Sequence, residues 1–188
     1  MELVPKQIVS ALPTMASNLT FLVLDSVRIP LAKQICTQNN EQWEPLYLGT
    51  VWQSQLDSSP ICVLIDKNSK AWKLWETDQE WATSGVGFTF PDTVSKESAM
   101  ISLRKNITVF SEDERLFLIR FYSPSTLAQI ARYGERIEID SLLADALNVQ
   151  ISPLISEAYG IDIVPNEYTS GSNSRCTFSN KLIKELLA

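Results

Sequence analysis

The chain has 188 residues, 45% of them hydrophobic and 20% charged, with a net charge of −6 and no histidine. That length and apolar share fit one ordinary globular domain, with or without a small appendage. The acidic balance argues against nucleic acid, since no basic face is available to meet phosphates. Without histidine, the usual zinc ligand, the usual general base and every Ser-His-Asp or Cys-His nucleophile system are missing. Cys36, Cys62 and Cys176 are odd in number and widely spaced, which argues against both a disulfide framework and a thiolate metal site.

Residues 1–18 have one lysine and a short apolar run broken by Pro13, and read as an N-terminal arm or short helix. TFLVLDS, from Thr20 to Ser26, reads as a buried strand, and Pro30 opens a helix over Leu31–Gln38. EPLYLGT turns at Gly49, and PICVLID, from Pro60 to Asp66, is a second buried strand. Ser69–Ala82 reads as one helix with Ser69 as its N-cap and Ala71, Trp72, Leu74 and Trp75 towards the core. GVGFTF is a third strand, followed by a helix over Ser95–Asn106. ITVFS and RLFLIRFY, joined by the polar SEDE, form an expected antiparallel hairpin. A helix follows Pro124, then DSLLADALNV with Asp140 as its expected N-cap, then the tail helix SNKLIKELLA. Tyr168–Ser174 is a loop by composition. Alternating strands and helices imply an α/β fold, with a mixed central sheet flanked by helices over residues 1–126 and a small, mostly helical lobe over 127–188.

Chemical motifs are scarce. No phosphate-binding glycine loop or nucleophile elbow is present, and SGVGFTF lacks the third glycine of a dinucleotide fingerprint. Catalytic residues, metal ligands and cofactors are therefore not assigned. One constellation remains. Asp25, Asp66 and Arg120 each end a predicted strand, where ligands bind in open α/β sheets. They could serve a small α/β enzyme or a metabolite-binding module. The preferred account is structural: Asp25 and Arg120 pair and lock two loops together. Among five tryptophans, Trp72 and Trp75 have core spacing, whereas Trp52 and Trp81 are candidates for a partner surface.

FLVLDSVRIP, PLYLGT, SSPICVLID, ISLRKNITV and LFLIRFYSPSTL occur in an order and spacing that resemble the Tap/Tec adaptor family of bacterial type VI secretion systems, over about Leu19 to Ile130. On that resemblance Asp25, Pro30, Gly49, Arg104, Arg120, Tyr122 and Pro124 fall at signature positions, together with Thr50, Pro60, Leu103 and Phe121. Two positions depart: Ser123 stands where the family carries aspartate, and Ser102 where it carries histidine. The resemblance implies a cytoplasmic, non-enzymatic chaperone of a Gram-negative bacterium. It would bind the N-terminal segment of a toxic effector protein and help load it onto the VgrG spike, with no nucleic-acid or membrane partner. Within that reading, the apolar stripes Leu142, Leu143 and Leu147, and Leu182 and Leu186, form the expected effector-binding surface.

Overall fold

A computed structural model describes residues 18–167 and 175–188. The expected arm, apart from Asn18, and the Tyr168–Ser174 loop lie outside the described residues. The elements run β1 (Leu19–Leu24), α1 (Ala32–Gln38), β2 (Trp43–Pro45), a 3-10 turn (Gln53–Ser58), β3 (Ile61–Ile65), α2 (Lys70–Thr77), α3 (Gln79–Ala82), β4 (Gly85–Phe90) and α4 (Lys96–Asn106). They continue with β5 (Thr108–Ser111), β6 (Leu116–Leu118), α5 (Pro124–Tyr133), α6 (Arg136–Leu143), β7 (Asn148–Gln150), α7 (Ser156–Tyr159), β8 (Ile163–Pro165), β9 (Thr177–Phe178) and α8 (Asn180–Leu187).

The fold is α/β, with a six-stranded sheet ordered β2-β3-β1-β4-β7-β8 and a three-stranded sheet ordered β6-β5-β9. β1 sits at the centre. Its odd-numbered Phe21 and Val23 join Phe88, Phe90, Cys62 and Val149 in the larger core. Its even-numbered Leu22 and Leu24 join Ile61, Val63, Ala71 and Trp75 in the smaller one. Both faces are covered, so the strand has no reason to alternate apolar with polar residues, and LTFLVL does not. α1, α2 and α3 cover the smaller core, while α4, α5, α6, α8 and the small sheet close the larger one.

Local signals explain several element ends. The Ser69 hydroxyl accepts from the Trp72 N–H at 3.1 Å and starts α2. The expected single helix over 69–82 breaks at Asp78, whose extended backbone and carboxylate start α3 by accepting from the Trp81 N–H at 3.1 Å. Trp75 is fully buried, and its indole donates to the Gly85 carbonyl at 2.9 Å. Ser95 caps α4 by accepting from the Ser98 N–H at 3.1 Å.

Three expectations are corrected. The main sheet is antiparallel at every pairing, and among the described residues the one parallel pair, β5 with β9, belongs to the small sheet. A helix between two strands spans enough chain to return in either direction, so alternation alone does not fix polarity. Asp140 is not an N-cap. α6 begins at Arg136 behind a capping box made by Glu135 and Glu138, and Asp140 lies in its last turns, paired with Arg136 and accepting from the Glu167 N–H at 3.1 Å. The helix ends at Ala144, in the left-handed half of the map at φ 48°, and Asn148–Gln150 crosses to pair with β4. Residues 127–188 carry helices near the expected places, the middle one shifted to 136–143, yet their strands complete both sheets and their apolar side chains share the larger core. The boundary at 126/127 marks no break in packing.

Two consequences can be measured. A methyl group added at Gly85 would lie 2.6 Å from a Leu24 side-chain carbon and 2.8 Å from the Val23 carbonyl oxygen. Gly85→Ala should therefore cost about 1–3 kcal/mol, read as a fall in thermal midpoint with unchanged far-ultraviolet circular dichroism. Burial, then the Glu41 charge, pushes the Cys36 thiol from 9.0 up to about 12, and burial raises Cys176 to about 11. Both thiols are raised in the folded state. Their stabilisation is whole below about pH 9 and is lost as pH climbs towards 11–12. Urea melts from pH 8 to 11 should show this loss, and Cys36→Ala should make it shallower.

Candidate functional site at the loop joint

Three chain reversals meet at one end of the main sheet: residues 25–31 after β1, 46–53 after β2 and 119–124 after β6. Asp25 is 6% exposed and organises the first. Its Oδ1 accepts from the N–H groups of Val27 at 3.0 Å and Arg28 at 3.3 Å, which closes the turn. Its Oδ2 takes the Arg120 guanidinium as ion-pair partner. The expected pair is therefore formed, 95 residues apart in sequence. Arg120 also lies 5.8 Å from the centre of the Tyr122 ring.

Tyr122 carries the link onward. It is buried, and its hydroxyl is 3.3 Å from that of Tyr47, also buried. Burial, then the Tyr47 hydrogen bond, pushes the Tyr122 phenol well above its ordinary range, so it stays neutral. Ser59 completes the network: its hydroxyl accepts from the Tyr47 N–H at 2.9 Å, and its carbonyl accepts from the Ser26 hydroxyl at 2.7 Å. Phe121 packs edge-on against both Phe88 and Tyr122, with ring centres 5.3 Å and 5.8 Å apart.

The other signature residues shape the same region. Pro30 lies on the 25–31 reversal, two residues before α1. Gly49 has φ 74°, a conformation side chains resist, and its N–H donates to Gln53 Oε1 at 2.7 Å. Pro124 occupies the first turn of α5, where its missing N–H costs nothing. Arg104 sits on α4 and anchors β2, donating to Glu44 Oε2 at 2.9 Å and to the Pro45 carbonyl at 3.2 Å. Ser123 is the N-cap of α5, and its hydroxyl turns to Ser125 at 2.9 Å instead of capping. An aspartate there would sit at a cap position, a structural place. Ser102 is buried inside α4.

Asp66 does not join this group. β1 and β3 are antiparallel, with Thr20 opposite Ile65 and Leu24 opposite Ile61. In that register Asp25 stands opposite Pro60, so Asp25 and Asp66 lie at opposite ends of the sheet, about 20 Å apart at ~3.4 Å per residue. Asp66 instead borders a cleft of about 660 Å³ with Thr20, Thr89, Gln150, Lys67 and Trp72. The three-residue carboxylate and arginine constellation is thus not assembled. Among the described residues no group of acidic, cysteine or histidine side chains has metal-site geometry.

The leucine stripes are placed differently from expectation. Leu142, Leu143 and Leu182 are 1–2% exposed, and Leu147 and Leu186 are half-buried. Leu142, Leu143 and Leu182 belong to the larger core and Leu186 packs against it, so most of the expected partner surface is interior. Trp81 is likewise buried, whereas Trp52 is half-buried and donates its indole N–H to Thr108 Oγ1 at 2.9 Å. Tyr47 and Ser59, which the sequence did not single out, prove central to the joint. Their roles arise only from long-range pairing, and PLYLGT gives no local sign of them.

A family profile described as a domain of unknown function, DUF4123, matches residues 20–140. No curated protein and no solved structure matches the chain. No described helix is long and apolar enough to cross a membrane.

The joint predicts a stability phenotype. The Arg120 side chain is 53% exposed and the Asp25 side chain 8%, so the pair lies between a surface and a buried ion pair. Arg120→Ala should cost about 1–2 kcal/mol, less than a fully buried pair. Thermal melts should fall by a few degrees, with partial recovery in Arg120→Lys. A wild-type melt in Arg120→Ala would remove Arg120 from the joint.

Proposed function

The chain belongs to the DUF4123 family, and from that premise we propose that it is a type VI secretion adaptor: a non-enzymatic, cytoplasmic chaperone that holds a toxic effector and helps deliver it to the VgrG spike. The observation that carries this reading is how the signature residues are used. Asp25 bonds its own turn and Arg120, and Tyr122 bonds Tyr47. These side chains spend their polar groups on one another, as residues that hold a surface in shape do. Asp66, which a carboxylate enzyme would need beside Asp25 and Arg120, faces the other end of the sheet. That favours the adaptor over the small-enzyme alternative.

The expected result is that a tagged chain, purified from its own cell while the secretion system is expressed, brings down one large effector in stoichiometric amount. Deleting the effector's N-terminal segment should abolish the association. Recovery of the chain alone under those conditions would count against the adaptor reading.

A further inference from the structure

The edges of the two sheets are finished differently. In β2, pairing with β3 turns the backbone groups of Trp43 and Pro45 outward. In β8, pairing with β7 turns those of Ile163 and Pro165 outward. Each edge thus carries a proline at one of its two outward positions, which removes a donor. Each proline carbonyl is occupied by an arginine, Pro45 by Arg104 and Pro165 by Arg136. Both ends of the six-stranded sheet are closed to a further strand.

β6 is not. The Ser111 N–H donates to the Arg115 carbonyl at 2.9 Å, and the Ile119 N–H to the Ile107 carbonyl at 2.8 Å. With Val109 opposite Phe117, this turns 115, 117 and 119 towards β5 and leaves the N–H and C=O of Leu116 and Leu118 pointing outward. Among the described residues β6 is the last strand of its sheet, and the sequence has no proline between Pro91 and Pro124. The outer face beside this edge is mostly apolar, with the Arg175 guanidinium over the Phe110 ring at 4.3 Å. Leu116 is opposite Phe110 and Leu118 opposite Thr108, Trp52 is bonded to Thr108, and Leu116 is 47% exposed.

We propose that β6 is a docking edge for an extended polypeptide segment of a partner, which adds a fourth strand beside Leu116–Leu118. In the adaptor reading, on which the partner's identity rests, that segment belongs to the effector. Outward amide groups at every second residue select an extended backbone. The face made by Trp52, Leu116 and Leu118 selects apolar side chains at alternate positions of the incoming strand. A second copy of the chain is a poorer occupant. Pairing β6 with itself engages only the outward groups of a three-residue strand, far short of the ~1,200 Å² that a stable dimer buries.

The test uses random peptides of about ten residues displayed on phage and selected on the immobilised chain. Enriched peptides should alternate apolar residues, and binding should slow amide exchange at Leu116 and Leu118. Leu118→Pro, which removes one outward N–H without touching the β5 ladder, and Leu116→Lys should each weaken binding about tenfold. Ile163→Lys on β8 should leave it unchanged. Failure to enrich any peptide, or equal binding by wild type and both β6 variants, would overturn the proposal. So would protection at Leu116 and Leu118 that rises with the chain's own concentration without peptide. Effector co-purification that is intact in both variants would also overturn the docking edge while leaving the adaptor reading in place. Peptide binding at the edge with no effector captured would do the reverse.

Discussion

Burial of β1 on both faces is the constraint from which the architecture follows. Phe21 and Val23 serve one core, Leu22 and Leu24 the other, and β3 and β4 satisfy its backbone on both sides. A strand so enclosed must leave the core at an edge of the sheet, and a charge placed there reaches its partner at once. Asp25 is that charge. Its carboxylate closes the turn that carries the chain out and meets Arg120 arriving from the small sheet. The joint is where two sheets and three reversals are referenced to one another, and its polar atoms are consumed in doing so.

This division of labour has a physical logic. An adaptor needs a surface held in register, and rigid elements hold surfaces better than loops do. The Tyr47–Tyr122 contact and Ser59 stiffen loops that the sheet alone would leave free, because each bond spans distant parts of the chain. The small sheet is thereby fixed at one end by Arg120. At its other end an exposed ion pair joins Glu114 of the hairpin turn to Arg175.

What the sequence made legible was local or strongly apolar. β1, β3 and β4 announced themselves as apolar runs, Ser69 as a cap, and Asp25 with Arg120 as charges at strand ends. β7 and β8 did not, since NVQ and IVP are three residues long and take their conformation from β4 and from each other. Asp140 followed the usual preference for a cap and was overruled, because Arg136 one turn earlier offered a charged partner. The leucine stripes were correctly amphipathic, but amphipathicity says that a face is covered, not by what. Only the tertiary arrangement assigns Leu142 and Leu182 to the interior.

The placement of β7 and β8 has a consequence for synthesis. The segment common to the family ends at residue 140, whereas the free side of β4 is covered only by residues 148–150 and then 163–165. A nascent chain that has released the first 140 residues therefore holds most of its sheet with β4 as a bare, apolar, six-residue edge. Only the later β7 and β8, with Pro165 on the outer side, cover that edge in the finished sheet. For the time a ribosome needs to add some 25 residues, a second or more at typical rates, the chain is most open to pairing with a neighbour. Premature stops in that interval would yield a sticky fragment, not a smaller working protein.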